Sequence, residues 1–196
     1  MNIAVRIDDR FVKVDGRNIR YLEQGQGVPA ILLHGSSLGS SADVFRRNLT
    51  ALGSQGIRAI ALDLPGFGKS DPPKETGEAP DKTFVLRFMD ALGLKRAALI
   101  GHSSAGNAVV TTALEHSERI THVIILGTGS LLPPLETAGG KVGGREVAAQ
   151  ARLEERMVKS EPTLEDTRGL LAANLYHQQL ITPEELALRH QNSIGR

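Results

Sequence analysis

From Ala97 to Gly106 the chain reads Ala-Ala-Leu-Ile-Gly-His-Ser-Ser-Ala-Gly, an apolar run that ends in a serine and passes at once into a helical stretch. A serine at a sharp strand-to-helix turn presents its hydroxyl outward, and the free N–H groups of the helix that follows face any negative charge developing beside it. The turn leaves room only for small residues two places before and two places after the serine, and Gly101 and Ala105 meet that demand. Ser103 is therefore the candidate nucleophile, with the backbone N–H of Ser104 as one donor of an oxyanion hole. The competing role for Ser103 or Ser104 is capping the helix, which serine also favours.

A second donor is expected from the loop after a neighbouring strand. His34-Gly35-Ser36-Ser37 follows the apolar run Pro29 to Leu33, and the N–H of Ser36 is the candidate. Losing one such donor typically costs about 2.7–4 kcal/mol of transition-state stabilisation. His34 is read as a residue that fixes its loop rather than as a base, because a buried ring beside a glycine turn normally finds a hydrogen-bond partner. Gly35 and His102, next to the two donors, are candidates for substrate contact. Gly68-Lys69-Ser70 imitates the end of a phosphate-binding loop, but Asp63 stands where the first glycine belongs and Pro65 lacks an N–H. A carboxylate there repels phosphate, so the segment is read as a tight turn.

These residues need a scaffold of strands and helices. Phe11 to Val14 and Ile19 to Leu22, separated by a segment that opens with Asp15-Gly16, form an antiparallel hairpin pattern. The runs Pro29 to Leu33, Ile57 to Leu62, Ala97 to Ile100 and Val123 to Leu126 are apolar without alternation, as in strands covered on both faces. Helical patterns over about 42–54, 80–92 and 104–116 lie between them, which predicts an α/β architecture with a mainly parallel sheet and helices on both faces. Beyond Leu126 the rhythm changes. A stretch rich in proline and glycine precedes helical signals at Glu146 to Lys159, at Thr163 onward to about Leu180, and at Thr182-Pro183-Glu184-Glu185, a capping box with proline at the first helical position. The expected division is a core over residues 1–130 and a helical lobe over 131–196.

The 196 residues are 40% apolar and 23% charged, a globular balance in a length that suits one domain with an added lobe. A net charge of +1 gives no field that would favour nucleic acid or an anionic membrane, so a small-molecule substrate is expected. With no cysteine, thiolate metal sites and a cysteine nucleophile are excluded, and neither a metal nor a cofactor is expected. No apolar run approaches the ~18 residues of a membrane span, and the start lacks the pattern of a signal peptide, so the expected location is the cytoplasm.

His34-Gly35, the turn Asp63-x-Pro65-Gly66-x-Gly68-x-Ser70 and the Ser103 turn, in that order at the ends of successive strands, resemble the α/β-hydrolase family over about residues 10–128. A serine nucleophile sets the chain apart from the haloalkane dehalogenase and epoxide hydrolase branches, which use aspartate. Leu175 to Leu186, followed by Arg189, is similar to the cap of the meta-cleavage-product hydrolases. That resemblance implies hydrolysis of a carbon–carbon bond in a 2-hydroxy-6-oxo-dienoate from aromatic-compound degradation, or of a carboxylic ester, with Arg189 meeting the substrate carboxylate. The chain differs from that group in His102 where asparagine is usual, in Ser36-Ser37 where glycine is, and in His190 where an aromatic residue commonly follows the arginine. Arginines are mostly exposed, and a solvated helix-face charge is the competing role for Arg189. In the family the order is serine, then acid, then histidine. Neither partner is recognisable here, so the expectation is a fragment, a truncated product or half of a split protein. A homo-oligomer or a second chain supplying the closing strands is the expected partner. The alternative is a noncatalytic module that binds a ligand between core and lobe.

Overall fold

The computed structural model describes residues 7–73, 83–128, 131, 152–153, 155–157 and 159–194. They divide into two compact units: one holds residues up to Ser36 and from Ser41 to Leu131, the other Ser37–Ser40 and the described residues from 152 onward.

The first unit is a six-stranded sheet, β1 (Arg10–Val14), β2 (Arg17–Gln24), β3 (Val28–Leu33), β4 (Ile57–Leu62), β5 (Ala97–His102) and β6 (Ile120–Leu126), in the order β1-β2-β4-β3-β5-β6. Asp15 and Gly16 make the β1–β2 turn with φ of 52° and 82°, the left-handed pair that a two-residue hairpin requires. β2 is antiparallel to β1 and β4, whereas β3, β4, β5 and β6 run parallel. The expected mainly parallel sheet with an antiparallel opening is what forms. Alternation along the strands feeds two cores. Ile31, Leu33, Ile60, Leu62 and Leu99 face α2 (Phe84–Ala91) and α3 (Ala105–Glu115), while Ala30, Leu32, Ala59, Ala61 and Ile100 face Phe45 and α1 (Arg46–Gly53). The stretch read as one helix over 42–54 opens as a 3-10 turn, Ala42–Phe45, before α1 begins. The helix expected at about 80–92 is helical over Phe84–Ala91; 80–82 lie outside the described residues.

Register fixes the site. Leu33 is level with Leu62 on one side and with Gly101 on the other, so the chain leaves β3, β4 and β5 at the same height. The connections from β3 and β5 then diverge to opposite faces, the arrangement that opens a crevice at the carboxyl ends of a parallel sheet. β6, apolar along its length, forms an edge of the described sheet, with Val123, Ile124, Ile125 and Leu126 between 39% and 46% exposed.

In the second unit α4 (Leu164–Asn174) starts at a full capping box, Thr163 accepting from Asp166 N–H and Asp166 from Thr163 N–H. It stops at Asn174 rather than near Leu180, because Leu175 turns extended; Gln178–Leu180 is a separate 3-10 turn. α5 (Pro183–Gln191) has Pro183 in its first turn and Thr182 accepting from Glu185 N–H at 3.2 Å. Thr167 Oγ1 and His190 Nδ1, 3.0 Å apart, tie α4 to α5. Of the stretch read as helical over Glu146 to Lys159, residues 152–153, 155–157 and 159 are helical, and the others lie outside the described residues. Among the described residues no helix is long and apolar enough to cross a membrane.

Candidate active site

Ser103 has φ of +54°, a left-handed conformation that a residue with a side chain adopts only under constraint. The constraint is visible on both sides. Its N–H donates to Leu126 O of β6 at 2.8 Å, and its carbonyl accepts from Gly106 N–H at 3.0 Å and from Thr128 Oγ1 at 2.8 Å. A Cβ on Gly101 would lie 2.9 Å from Ala105 O, Gly106 Cα and Val109 Cγ2, which is why the turn needs glycine there. A Cβ on Gly106 would meet Thr128 Oγ1 at 2.1 Å. Thr128 is a residue that sequence reasoning missed; a threonine two places after an apolar strand carries no signal of its own.

The loop after β3 comes up against this turn. Gly35 is so close that a Cβ would sit 2.8 Å from Ser103 Cβ and 3.3 Å from its Oγ. Ser104 Oγ donates to Ser36 Oγ at 3.2 Å, so the two residues expected to supply oxyanion donors stand side by side. Ser103 is half-buried, while Ser36, Ser104 and His102 are exposed. Gly35, Ser36, His102, Ser103 and Ser104 thus gather at one place in the first unit. Arg189 lies on α5 of the second unit and is half-buried rather than a fully solvated charge; its Cδ and carbonyl face Gly39, where a Cβ would lie 3.1 Å and 2.7 Å from them.

His34 is fully buried. Its Nε2 accepts from Leu64 N–H at 3.1 Å, which leaves Nδ1 to donate to Gly35 O at 2.7 Å. The ring is thereby held neutral, with its lone pair occupied, and it fixes the loop instead of serving as a base. Phe67 packs edge-on against it at 5.0 Å. The turn that imitates a phosphate loop is filled from within: Asp63 accepts from Lys69 N–H at 2.8 Å and Ala42 N–H at 2.6 Å, and Ser70 Oγ donates to Asp63 O at 2.8 Å.

Asp63 also belongs to a buried ion cluster that the sequence did not reveal. Arg20, on β2 and 1% exposed, donates from both terminal nitrogens to Asp43 at 2.8 and 2.9 Å, from Nη1 to both Asp63 oxygens at 3.2 Å, and from Nη2 and Nε to Asp9 Oδ1 at 2.6 and 2.8 Å. Burial opposes the Arg20 charge, but Asp43 and Asp63 outweigh it and drive its pKa upward. At Asp43 burial again opposes ionisation, and the Arg20 hydrogen bonds and charge overcome it, lowering the carboxyl to about 2. Burial dominates at Asp63 and raises it. Among the described residues no group of histidine, aspartate and glutamate could hold a metal ion.

A family model for the alpha/beta hydrolase fold matches residues 29–162. The chain is 34% identical over 95% of its length to a 2-hydroxy-6-oxononadienedioate/2-hydroxy-6-oxononatrienedioate hydrolase of Burkholderia vietnamiensis, covering 65% of that protein. It is also 34% identical over 87% of its length to a 2-hydroxy-6-oxo-6-phenylhexa-2,4-dienoate hydrolase of Burkholderia cepacia, covering 58% of it. A solved variant of the meta-cleavage product hydrolase from Pseudomonas fluorescens IP01 superposes with a TM-score of 0.73 and 28% identity over 98% of this chain and 65% of that one. The chain thus spans about three fifths to two thirds of the length of these relatives.

Proposed function

The chain belongs to the α/β-hydrolase family and is related to the meta-cleavage product hydrolases, and from that premise we propose that Ser103 is the nucleophile of a serine hydrolase. In this reading the Ser103 hydroxyl attacks an acyl or ketone carbonyl. The backbone N–H groups of Ser36 and Ser104 receive the charge that develops on the carbonyl oxygen, and Gly35 leaves room for the substrate beside the serine. The substrate class is a 2-hydroxy-6-oxo-dienoate-like carboxylate or a carboxylic ester, with Arg189 receiving the carboxylate and His102 lining the site. The observation that carries the proposal is the +54° backbone of Ser103, because a serine that merely caps a helix has no need of that conformation.

Efficient turnover requires a histidine base and its acid beside Ser103. Four of the six histidines have other surroundings: His34 holds the β3 loop, His190 contacts Thr167, His177 lies 3.4 Å from Gln179 and His116 4.0 Å from Glu118. That observation favours a second reading, a noncatalytic module of the same fold. The readings separate on covalent trapping. Incubated with a p-nitrophenyl alkylphosphonate at alkaline pH, where hydroxide takes the serine proton, the protein is expected to gain one adduct mass, located at Ser103 and absent from Ser103→Ala. A wild-type chain that stays unlabelled under those conditions would assign it to the noncatalytic module.

A further inference from the structure

A buried cluster as large as that around Arg20 calls for a reason other than stability. Replacing a buried ion pair with well-packed apolar side chains is often neutral or stabilising, since desolvation cancels much of the attraction. The cluster is charge-balanced: Arg20, Arg46 and Lys69 meet Asp9, Asp43 and Asp63, with Arg46 Nε 2.9 Å from Asp43 Oδ1 and Lys69 Nζ 2.5 Å from Asp9 Oδ2. It is also specific in what it joins. The loop that carries Ser36 leaves β3 at His34, whose ring is tied to Leu64 N–H, and its far end returns through Ser41, Ala42 and Asp43. That far end is held by Asp63 accepting from Ala42 N–H, by Arg20 gripping Asp43 at both oxygens, and by Ser41 Oγ donating to Asp43 at 3.0 Å. Both ends of the loop are thus fastened to one short turn, the one that leaves β4 at Leu62.

We infer that Arg20 is a positioning residue of the proposed hydrolase site: by joining Asp43 to Asp63 it fixes the far end of the Ser36 loop and so sets the oxyanion donor against the Ser103 turn. The inference rests on the reading of Ser103 as a nucleophile. Seven residues separate His34 from Ala42, and a bond from Ser40 N–H to Ser37 O shortens the span. In so short a loop, release of one anchor displaces the middle. Lysine, a point charge on a flexible stem, lacks the planar fork that reaches three carboxylates at once, so the geometry depends on arginine and not on positive charge alone.

The test uses the whole chain with Arg20→Lys and Arg20→Met, read in two ways. The first readout is the rate of phosphonate labelling of Ser103 per folded molecule, split into the maximal rate and the concentration giving half of it. The second is the amide nitrogen–proton spectrum. Arg20→Lys is expected to lower the maximal labelling rate about tenfold or more, as loss of an aligned oxyanion donor does, with the half-saturating concentration little changed. The Ser36 amide is expected to shift or broaden while that of Val109, in the opposite core, stays in place. Wild-type labelling and an unmoved Ser36 amide in Arg20→Lys would overturn the inference, whatever happens to melting temperature. If Arg20→Met fails to fold, Arg20→Lys decides alone. If wild type itself is not labelled, the hydrolase reading fails, and the Ser36 amide still reports whether Arg20 positions the loop.

Discussion

Replacing Ser103 is expected to stabilise the fold if the replacement is glycine. Ser103 sits at φ +54°, where a side chain crowds the following carbonyl at a cost of roughly 1–2 kcal/mol. Glycine escapes that cost but brings a more flexible unfolded chain, which takes back about 0.4–1 kcal/mol. Comparing Ser103→Gly with Ser103→Ala isolates the backbone, because both variants lose the hydroxyl and only alanine keeps a Cβ. That Cβ also faces Gly35, against which the turn is closely packed. The difference should be about 0.5–1 kcal/mol in favour of glycine, a shift of about 0.3–0.5 M in urea midpoint at an m-value near 2 kcal/mol/M. Equilibrium urea unfolding followed by far-ultraviolet circular dichroism, at matched protein concentration, measures it. At an ordinary helical or extended position the order is reversed, with alanine the more stable. An alanine variant equal to or more stable than the glycine variant would therefore refute the claim that the Ser103 turn stores strain.

Acidification should weaken the first unit through Asp43, whose folded pKa of about 2 lies below its ordinary 3.8: its contribution is complete above the higher value and lost as pH falls toward the lower. Asp63, raised by burial, works in the opposite direction, so the prediction concerns a difference: Asp43→Asn should show a flatter fall of unfolding free energy over that window than wild type, as read by urea unfolding at stepped pH. Arg189→Ala should weaken binding of a carboxylate-bearing dienoate analogue about tenfold or more while leaving a neutral ester analogue within about twofold, measured by calorimetry; equal losses would make Arg189 structural. The isolated chain should associate through the exposed β6 edge, and Ile124→Lys should move it toward monomer in analytical ultracentrifugation; unchanged association would place the contact elsewhere.

What could be read from the sequence was chemistry tied to local geometry. Gly101, Ser103 and Ala105 announce a crowded turn because small residues at fixed spacing have few other reasons to coincide. Asp15-Gly16 announces a hairpin because two successive left-handed residues are costly for most other pairs. The parallel strands were legible because burial on both faces removes polar alternation. β6 carries the same apolar pattern at an exposed edge of the described sheet, since an apolar run reports what a strand is suited to meet and not what lies beside it. α4 was read too long for a related reason: Leu175 to Leu180 is compatible with helix, and only the extended turn at Leu175 interrupts it.

Arg20 shows a deeper limit. In Ile19-Arg20-Tyr21-Leu22 the arginine stands where period-two alternation assigns a solvent face, yet all four residues are buried. Its partners come from the chain ahead of β1, from the start of the 3-10 turn before α1 and from the end of β4, and no spacing relates Asp9, Asp43 and Asp63 to one another until the sheet has formed. Motifs arise where one turn does the chemistry, and they stay close in sequence. The devices that hold such turns in register are built from distant residues whose types are individually ordinary. The Ser103 turn and its support therefore differ in legibility for a physical reason, namely that local steric demand leaves a pattern in the sequence, whereas tertiary electrostatics requires the strand order β2-β4-β3 before its charges meet.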